Sequence, residues 1–239
     1  MRELFSKELN QLHDQFMQMG INTSKQIYQA TRAFTLHDNK LAKEVIENDQ
    51  NTNGEEIRLE KEAFDFIALQ QPVATDLRII MVILKASSDL ERIGDHAVSI
   101  AEETIRGEMD QRLPIVEKNI ADMTAQIRTM LEQGLDSYIR NDENDARAVA
   151  KEDLIVDRQY DLTRSLVTNS IQMGSMTANM GSSYLMVDRM LERIGDHIVN
   201  LAEWTVYSSS GKMVELNEGK RNSEVLAKLA EDEQEKNNG

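Results

Sequence analysis

Residues 90–105 read LERIGDHAVSIAEETI and residues 191–206 read LERIGDHIVNLAEWTV, identical at eleven of sixteen positions across an offset of 101. Self-similarity at a fixed offset marks a duplicated structural unit, so it has to be read before any single motif. A weaker match lies upstream, where 38–49 (DNKLAKEVIEND) aligns with 142–153 (DENDARAVAKED). The two halves are therefore related along most of their length.

Only 2 prolines and 11 glycines interrupt the 239 residues, and aromatics make up 5%. Such a composition, rich in Met, Leu, Ala, Glu, Gln and Lys, favours helix. Punctuation divides each half into three stretches of roughly 30 residues, each about 45 Å long at 1.5 Å per residue. The expected helices run over about 4–36, 38–70, 72–105, 115–140, 142–172 and 178–208, with Asp38 capping the second and Pro72 in the first turn of the third. The fold class is thus all-α, as two tandem, pseudo-symmetric three-helix bundles over 1–107 and 113–210, followed by a charged tail, 211–239, that is expected to fray.

With 42 Asp and Glu against 27 Lys and Arg, the net charge is −15. Such a surface repels polyanions, which argues against a nucleic-acid partner. There is no cysteine, so disulfides, thiolate metal sites and thiol nucleophiles are excluded, and any metal must be held by O or N donors. The first residues, MRELFSKE, lack the apolar run of a signal peptide, and a cytoplasmic protein is expected. The uncharged run 165–187 has the length of a membrane span. Only 11 of its 23 residues are apolar, so no membrane insertion is expected.

Heptad spacing along the third helix gives Leu77, Leu84, Glu91, Val98 and Ile105, and along the sixth Ala178, Leu185, Glu192, Val199 and Val206. One member of each apolar stripe is a glutamate, and four residues on stand Asp95 and Asp196, on nearly the same face. Core-facing carboxylates must be protonated, paired or metal-bound. Gly94 and Gly195, between the paired acids, suggest close approach by a neighbouring helix or a ligand, or simply tight packing. In an antiparallel hairpin, residues at one level have a constant sum. A turn at Pro72 sets Glu91 against Asn53 and Asp95 against Asp49. A turn near Gly174 sets Asp153 against Asp196 and Asp157 against Glu192. The second half then gathers Asp153, Asp157, Glu192 and Asp196 around one point, and the first gathers Asp49, Glu91 and Asp95 with Asn53, a weaker site. All-oxygen clusters favour hard cations such as Fe(III), Mn(II), Mg(II) or Ca(II), with Zn(II) also accommodated. His96 and His197 lie about 100° round from the acids, as supporting or edge ligands at best and better read as interface residues. Asp76 and Arg78 are assigned only local capping or pairing.

LERIGD, given twice, together with QQPVATDLR at 70–78, resembles the PhoU family of phosphate-uptake regulators over about residues 1–210. The resemblance implies two three-helix bundles side by side, carrying multinuclear iron or zinc clusters on acidic E/D-x-x-x-D motifs. Those motifs fall on Glu91 and Asp95, Asp153 and Asp157, and Glu192 and Asp196. The fourth falls on Asp49 and Asn53, where this chain departs from the pattern within 48–54 (NDQNTNG), a stretch that reads as a loop. The resemblance further implies a homodimeric cytoplasmic regulator without catalytic residues. Its partners would be the phosphate ABC transporter, ATPase or permease, and the phosphate-sensing histidine kinase.

Two other readings compete. A di-metal helical-bundle enzyme would use Glu-x-x-His on one face, whereas here the histidine follows the glutamate by five residues. A metal-free interaction scaffold would pair the acids with Arg92 and Arg193. Those arginines sit about 100° away and are expected to serve neighbouring helices instead. Met173, Met176, Met180 and Met186, with Tyr184, are expected to fill core rather than to form a docking patch.

Overall fold

The structure, a computed structural model, describes residues 2–107 and 112–217, without the side chains of 2–4 and 50–52. Most of the charged tail therefore lies outside the described residues. Six helices and no strand make up the described chain: α1 (Arg2–Leu36), α2 (Asn39–Gln70), α3 (Thr75–Arg106), α4 (Pro114–Arg140), α5 (Glu143–Gln172) and α6 (Ala178–Ser210).

The duplication is visible in the caps. Asp38 accepts hydrogen bonds from the backbone N–H groups of Lys40 and Leu41, and Asp142 from those of Asn144 and Asp145, so the same residue type opens the second helix of each half. Each cap is preceded by a left-handed residue, His37 and Asn141, that ends the helix before it. Pro114 occupies the first turn of α4, where a missing N–H costs nothing. Pro72 does not do the same for α3, which starts three residues later at Thr75. Gln71, which precedes the proline, is left-handed, and Ala74 also has a positive φ, so 71–74 is an irregular turn. The stretch 48–54 is likewise not a loop, because α2 runs through it unbroken. Val45 and Leu59 on either side are buried, and Asn53 donates its side-chain amide to Asp49 one turn back. Packing overrides the weak local propensity.

The helices α1, α2 and α3 pack on one another, as do α4, α5 and α6, and the two bundles meet along α3 against α6 and α1 against α4. One apolar core runs through both, from Phe16 and Ile27 in α1 to Ile194 and Ile198 in α6. Met176, Met180 and Tyr184 belong to it, while Met173 and Met186 are exposed.

Candidate metal centre

The buried face of α3 runs through Ile83, Ser87, Leu90, Gly94, Ala97, Ala101 and Thr104, and α6 repeats it with Tyr184, Asp188, Leu191, Gly195, Ile198, Ala202 and Thr205. The stripe carrying Glu91 and Glu192 is one step round from that face. The acids therefore border the core instead of pointing into it, with the side chains of Glu91 and Asp95 retaining 19% and 41% of their exposure. This corrects the expectation of core-facing carboxylates, and it explains how several acids are tolerated so near the core: solvent still reaches them.

In the first bundle the structure brings Asp49 of α2 to Glu91 and Asp95 of α3. Burial pushes the Glu91 carboxyl up, and the charges of Asp95 and Asp49 add to it. Asp95 is raised by burial and by Asp49. Asp49 is held by the amides of Gln26, at 2.8 Å, and Asn53, at 3.1 Å. Glu56, one heptad after Asp49, joins the group, and its carboxyl is pushed up to about 6 by burial and by Glu91 and Glu60. Arg92, expected to serve another helix, instead bends back. Its Nε lies 3.7 Å from Glu91 and its terminal nitrogen 3.5 Å from Asp95. A long flexible stem covers the 100° that the helical wheel puts between them.

In the second bundle Asp153 of α5 is completely buried and seated on Gly195 of α6; a Cβ there would stand 2.5 Å from its Oδ1. The glycine between Glu192 and Asp196 is thus the space into which the opposing acid fits. Asp188, one turn before Glu192, is also completely buried, and neither of its oxygens makes a hydrogen bond of good geometry. Burial pushes its carboxyl up to about 8, opposed by the nearby Thr163 hydroxyl and reinforced by Glu192. Asp157, Glu192 and Asp196 are half-buried, with Asp188 beside Glu192 and Asp153 against Gly195.

The donors are carboxylate oxygens on facing helices, with a glycine cradle and a buried carboxylate carrying no good hydrogen bond, and this set suits a hard cation. No three Asp, Glu or His side chains among the described residues are arranged to hold an ion in this conformation. Sequence reasoning missed Glu56 and Asp188. Glu56 stands one heptad after Asp49, and Asp188 one turn before Glu192 on the buried face beside the stripe that carries it.

The histidines sit at the bundle seam. The His96 and His197 rings face each other at 5.5 Å, and burial lowers His96 to about 4, helped by His197 and Arg193. Asp89 of α3 gathers His197 Nδ1 (2.9 Å), Asn200 Nδ2 (3.0 Å) and Trp204 Nε1 (3.0 Å) from α6. At the other end of the seam, Glu117 accepts from Arg112 at 2.7 Å and from the Tyr184 hydroxyl at 3.1 Å, and pairs with His37 Nε2 at 3.1 Å. Arg78 donates to the Ser208 carbonyl and lies over the Tyr207 ring, tying the start of α3 to the end of α6.

Fold and site together define a class: a duplicated three-helix bundle with an acidic groove on the second and third helices of each copy. The PhoU domain model matches residues 16–104 and 120–205, one match per bundle, and the chain belongs to the PhoU family. It is 35% identical to the phosphate-specific transport system accessory protein PhoU homolog of Clostridium acetobutylicum, over 91% of this chain and 99% of that one. It is 34% identical to the phosphate-specific transport system accessory protein PhoU of Escherichia coli, over 87% and 86%. The crystal structure of the phosphate transport system regulatory protein PhoU from Streptococcus pneumoniae superposes with a TM-score of 0.83 at 26% identity, covering 88% of this chain and 99% of that one.

Proposed function

We propose that this protein is an accessory regulator of phosphate transport that works through contacts with other proteins and catalyses no reaction. It restrains phosphate uptake and starvation signalling by contacting the phosphate ABC transporter, through its ATPase or permease, and the phosphate-sensing histidine kinase. It does so from the cytoplasmic side and as a homodimer. No helix among the described residues is long and apolar enough to cross a membrane. The names of its relatives support the phosphate connection.

The regulatory state is set by metal ions, iron or zinc first and Mn, Mg or Ca as alternatives. Asp49, Glu91 and Asp95 hold them in the first bundle, and Asp153, Asp157, Glu192 and Asp196 in the second. The observation that carries this reading is the recurrence of an opposed acidic pair at equivalent places in both bundles, seated in the second on a glycine. Bound cations would supply local positive charge, and so an anchor for phosphate, to a chain of net charge −15. Elemental analysis of protein purified without chelator tests it, beside a Glu192→Ala/Asp196→Ala variant. One or more ions per chain, lost in the variant, supports the reading, and absence from both removes it. Phosphate binding that is the same with and without metal would remove the anchor. A metal-free interaction scaffold is favoured in the first bundle, where Arg92 already offsets Glu91 and Asp95.

A further inference from the structure

Among the described residues α1 touches α4 but not α6, and α3 touches α6 but not α4, so the α1–α4 groove opens on the side opposite the α3–α6 seam. It holds a cleft of about 200 Å³ between Tyr28 and Arg32 of α1 and Ala121, Ala125 and Arg128 of α4. The Thr31 and Thr124 hydroxyls that line it donate to the Ile27 and Ile120 carbonyls of their own helices, which leaves the floor largely apolar. Two guanidiniums converge on one ring there: Arg32 lies 5.9 Å and Arg128 5.0 Å from the centre of Tyr28. Elsewhere in this acidic chain arginines sit on acids, as Arg106 does on Glu102, Arg112 on Glu117, Arg140 on Asp145 and Arg147 on Glu143. Arg32 donates instead to the Tyr28 hydroxyl, with no ion pair among the described residues, and Arg128 has the exposed Glu132 at 3.8 Å. Lys25 and Lys118 stand one turn before Tyr28 and Ala121, and are exposed, while Asp122 and Glu132 are the acids on this stretch of α4. An apolar floor with a positive rim, in a chain of net charge −15, is complementary to a segment that is first apolar and then acidic.

The chain carries such a segment itself, at 229–235 (LAEDEQE), where four carboxylates follow two apolar residues. The place where the described chain ends brings the groove within its reach. After the left-handed turn at Gly211, Val214 and Leu216 pack against the core, and the Asn217 amide donates to Asp153 of α5 at 3.0 Å. Gln126 of α4 donates to Glu152 of α5, so Asn217 stands level with the groove, with α5 and α4 between them. Crossing two helices of 10–12 Å diameter takes about 20–24 Å. The 11 residues 218–228 span about 36–40 Å when extended and about 17–20 Å on average as a flexible coil. A tether of that length holds the acids near the groove at an effective concentration of about a millimolar, so contacts too weak for a free peptide suffice. We propose that residues 229–235 seat in the α1–α4 groove, with Glu231, Asp232, Glu233 and Glu235 meeting Arg32 and Arg128 and Leu229 lying on the floor. The chain's own tail then covers this groove in the free protein. The inference is independent of the metal reading.

The chain has no cysteine, so Gln234→Cys in the full chain takes a single nitroxide label, whose paramagnetic broadening of backbone amide signals maps where the tail sits. At low ionic strength the Thr31 and Ala125 amides lose signal relative to the chemically reduced label. That loss disappears at about 1 M salt, where screening shortens the reach of a charge to about 3 Å. It also disappears in Arg32→Gln/Arg128→Gln, and when Glu231, Asp232, Glu233 and Glu235 are all changed to their amides, while the circular dichroism of both variants stays that of the parent chain. Full signal at Thr31 and Ala125 in the parent chain, or an equal loss in Arg32→Gln/Arg128→Gln, would overturn the proposal. Broadening that passes from labelled chains to separate, isotope-enriched chains would place the tail on a second copy and overturn it as well.

Discussion

Gly195 shows how much of the second site depends on an atom that is absent. A methyl group there meets a completely buried carboxylate, which has little room to retreat. Overpacking of this kind costs about 1–3 kcal/mol, against about 1 kcal/mol gained from better helix propensity. Gly195→Ala is accordingly expected to lower stability in urea denaturation and to weaken metal binding in the second bundle while sparing the first. Asp188 makes a different prediction. Its folded-state pKa is raised by burial, so between about pH 4 and 8 the folded chain holds a proton that the unfolded chain has released. Stability of the chelator-treated protein therefore falls as pH rises through that window, and is unaffected by this group below it. Asp188→Asn should flatten the slope, and an unchanged pH profile would refute the assignment. The paired acids were legible from spacing alone. Asp188 was not, since the heptad was written along the border stripe while the buried face lay one step away, and Glu56 was passed over although it stands one heptad after Asp49. Arg92 was misplaced because a helical wheel records directions and ignores the reach of a long side chain.

At the scale of elements, the Asp38 cap and the six-helix count could be read directly, because capping is local chemistry. The loop-like stretch 48–54 and the start of α3 could not. The first is held helical by Gln26 and Asn22 of α1, which donate to Asp49 and Glu55, contacts no local composition reveals. This has a consequence for the first groove: with Asn53 on an intact helix, Asn53→Asp adds a fifth acid to Asp49, Glu56, Glu91 and Asp95. Cation affinity of the first bundle should rise in that variant, measured by Mn(II) titration, and an unchanged titration would show that Asn53 does not face the site. The entry into α4 makes a second case. Glu117 would have a raised pKa through burial alone, yet hydrogen bonds from Arg112, His37 and Tyr184 hold it below the usual carboxylate range. Its contribution is present above the ordinary carboxylate pKa and lost as pH falls through the depressed one. Glu117→Gln is expected to cost about 1–3 kcal/mol, since it removes the charge paired with Arg112 and leaves one acceptor oxygen for three donors.

At the scale of the molecule, duplication is what the sequence announced most clearly, and the way the copies join is what it left unsaid. Nothing in the repeat indicated that α3 would lie on α6 and α1 on α4, or that Asp89 would collect three donors across the boundary. The residue equivalent to Asp89 in the second copy is Met190, so this clasp exists on one side only. Because a single apolar core crosses the boundary, the bundles should unfold together in one transition, with circular dichroism and fluorescence coincident. Two resolved steps would mean that the seam is weaker than its packing indicates.

One partner in that clasp is Trp204, the chain's sole tryptophan, with its indole N–H on a carboxylate of the opposite bundle. The protein therefore carries its own optical gauge of the joint between its halves. Any ligand, partner or change of pH that parts α3 from α6 must break that bond and shift the indole emission, so the opening of the molecule can be followed without attaching a label.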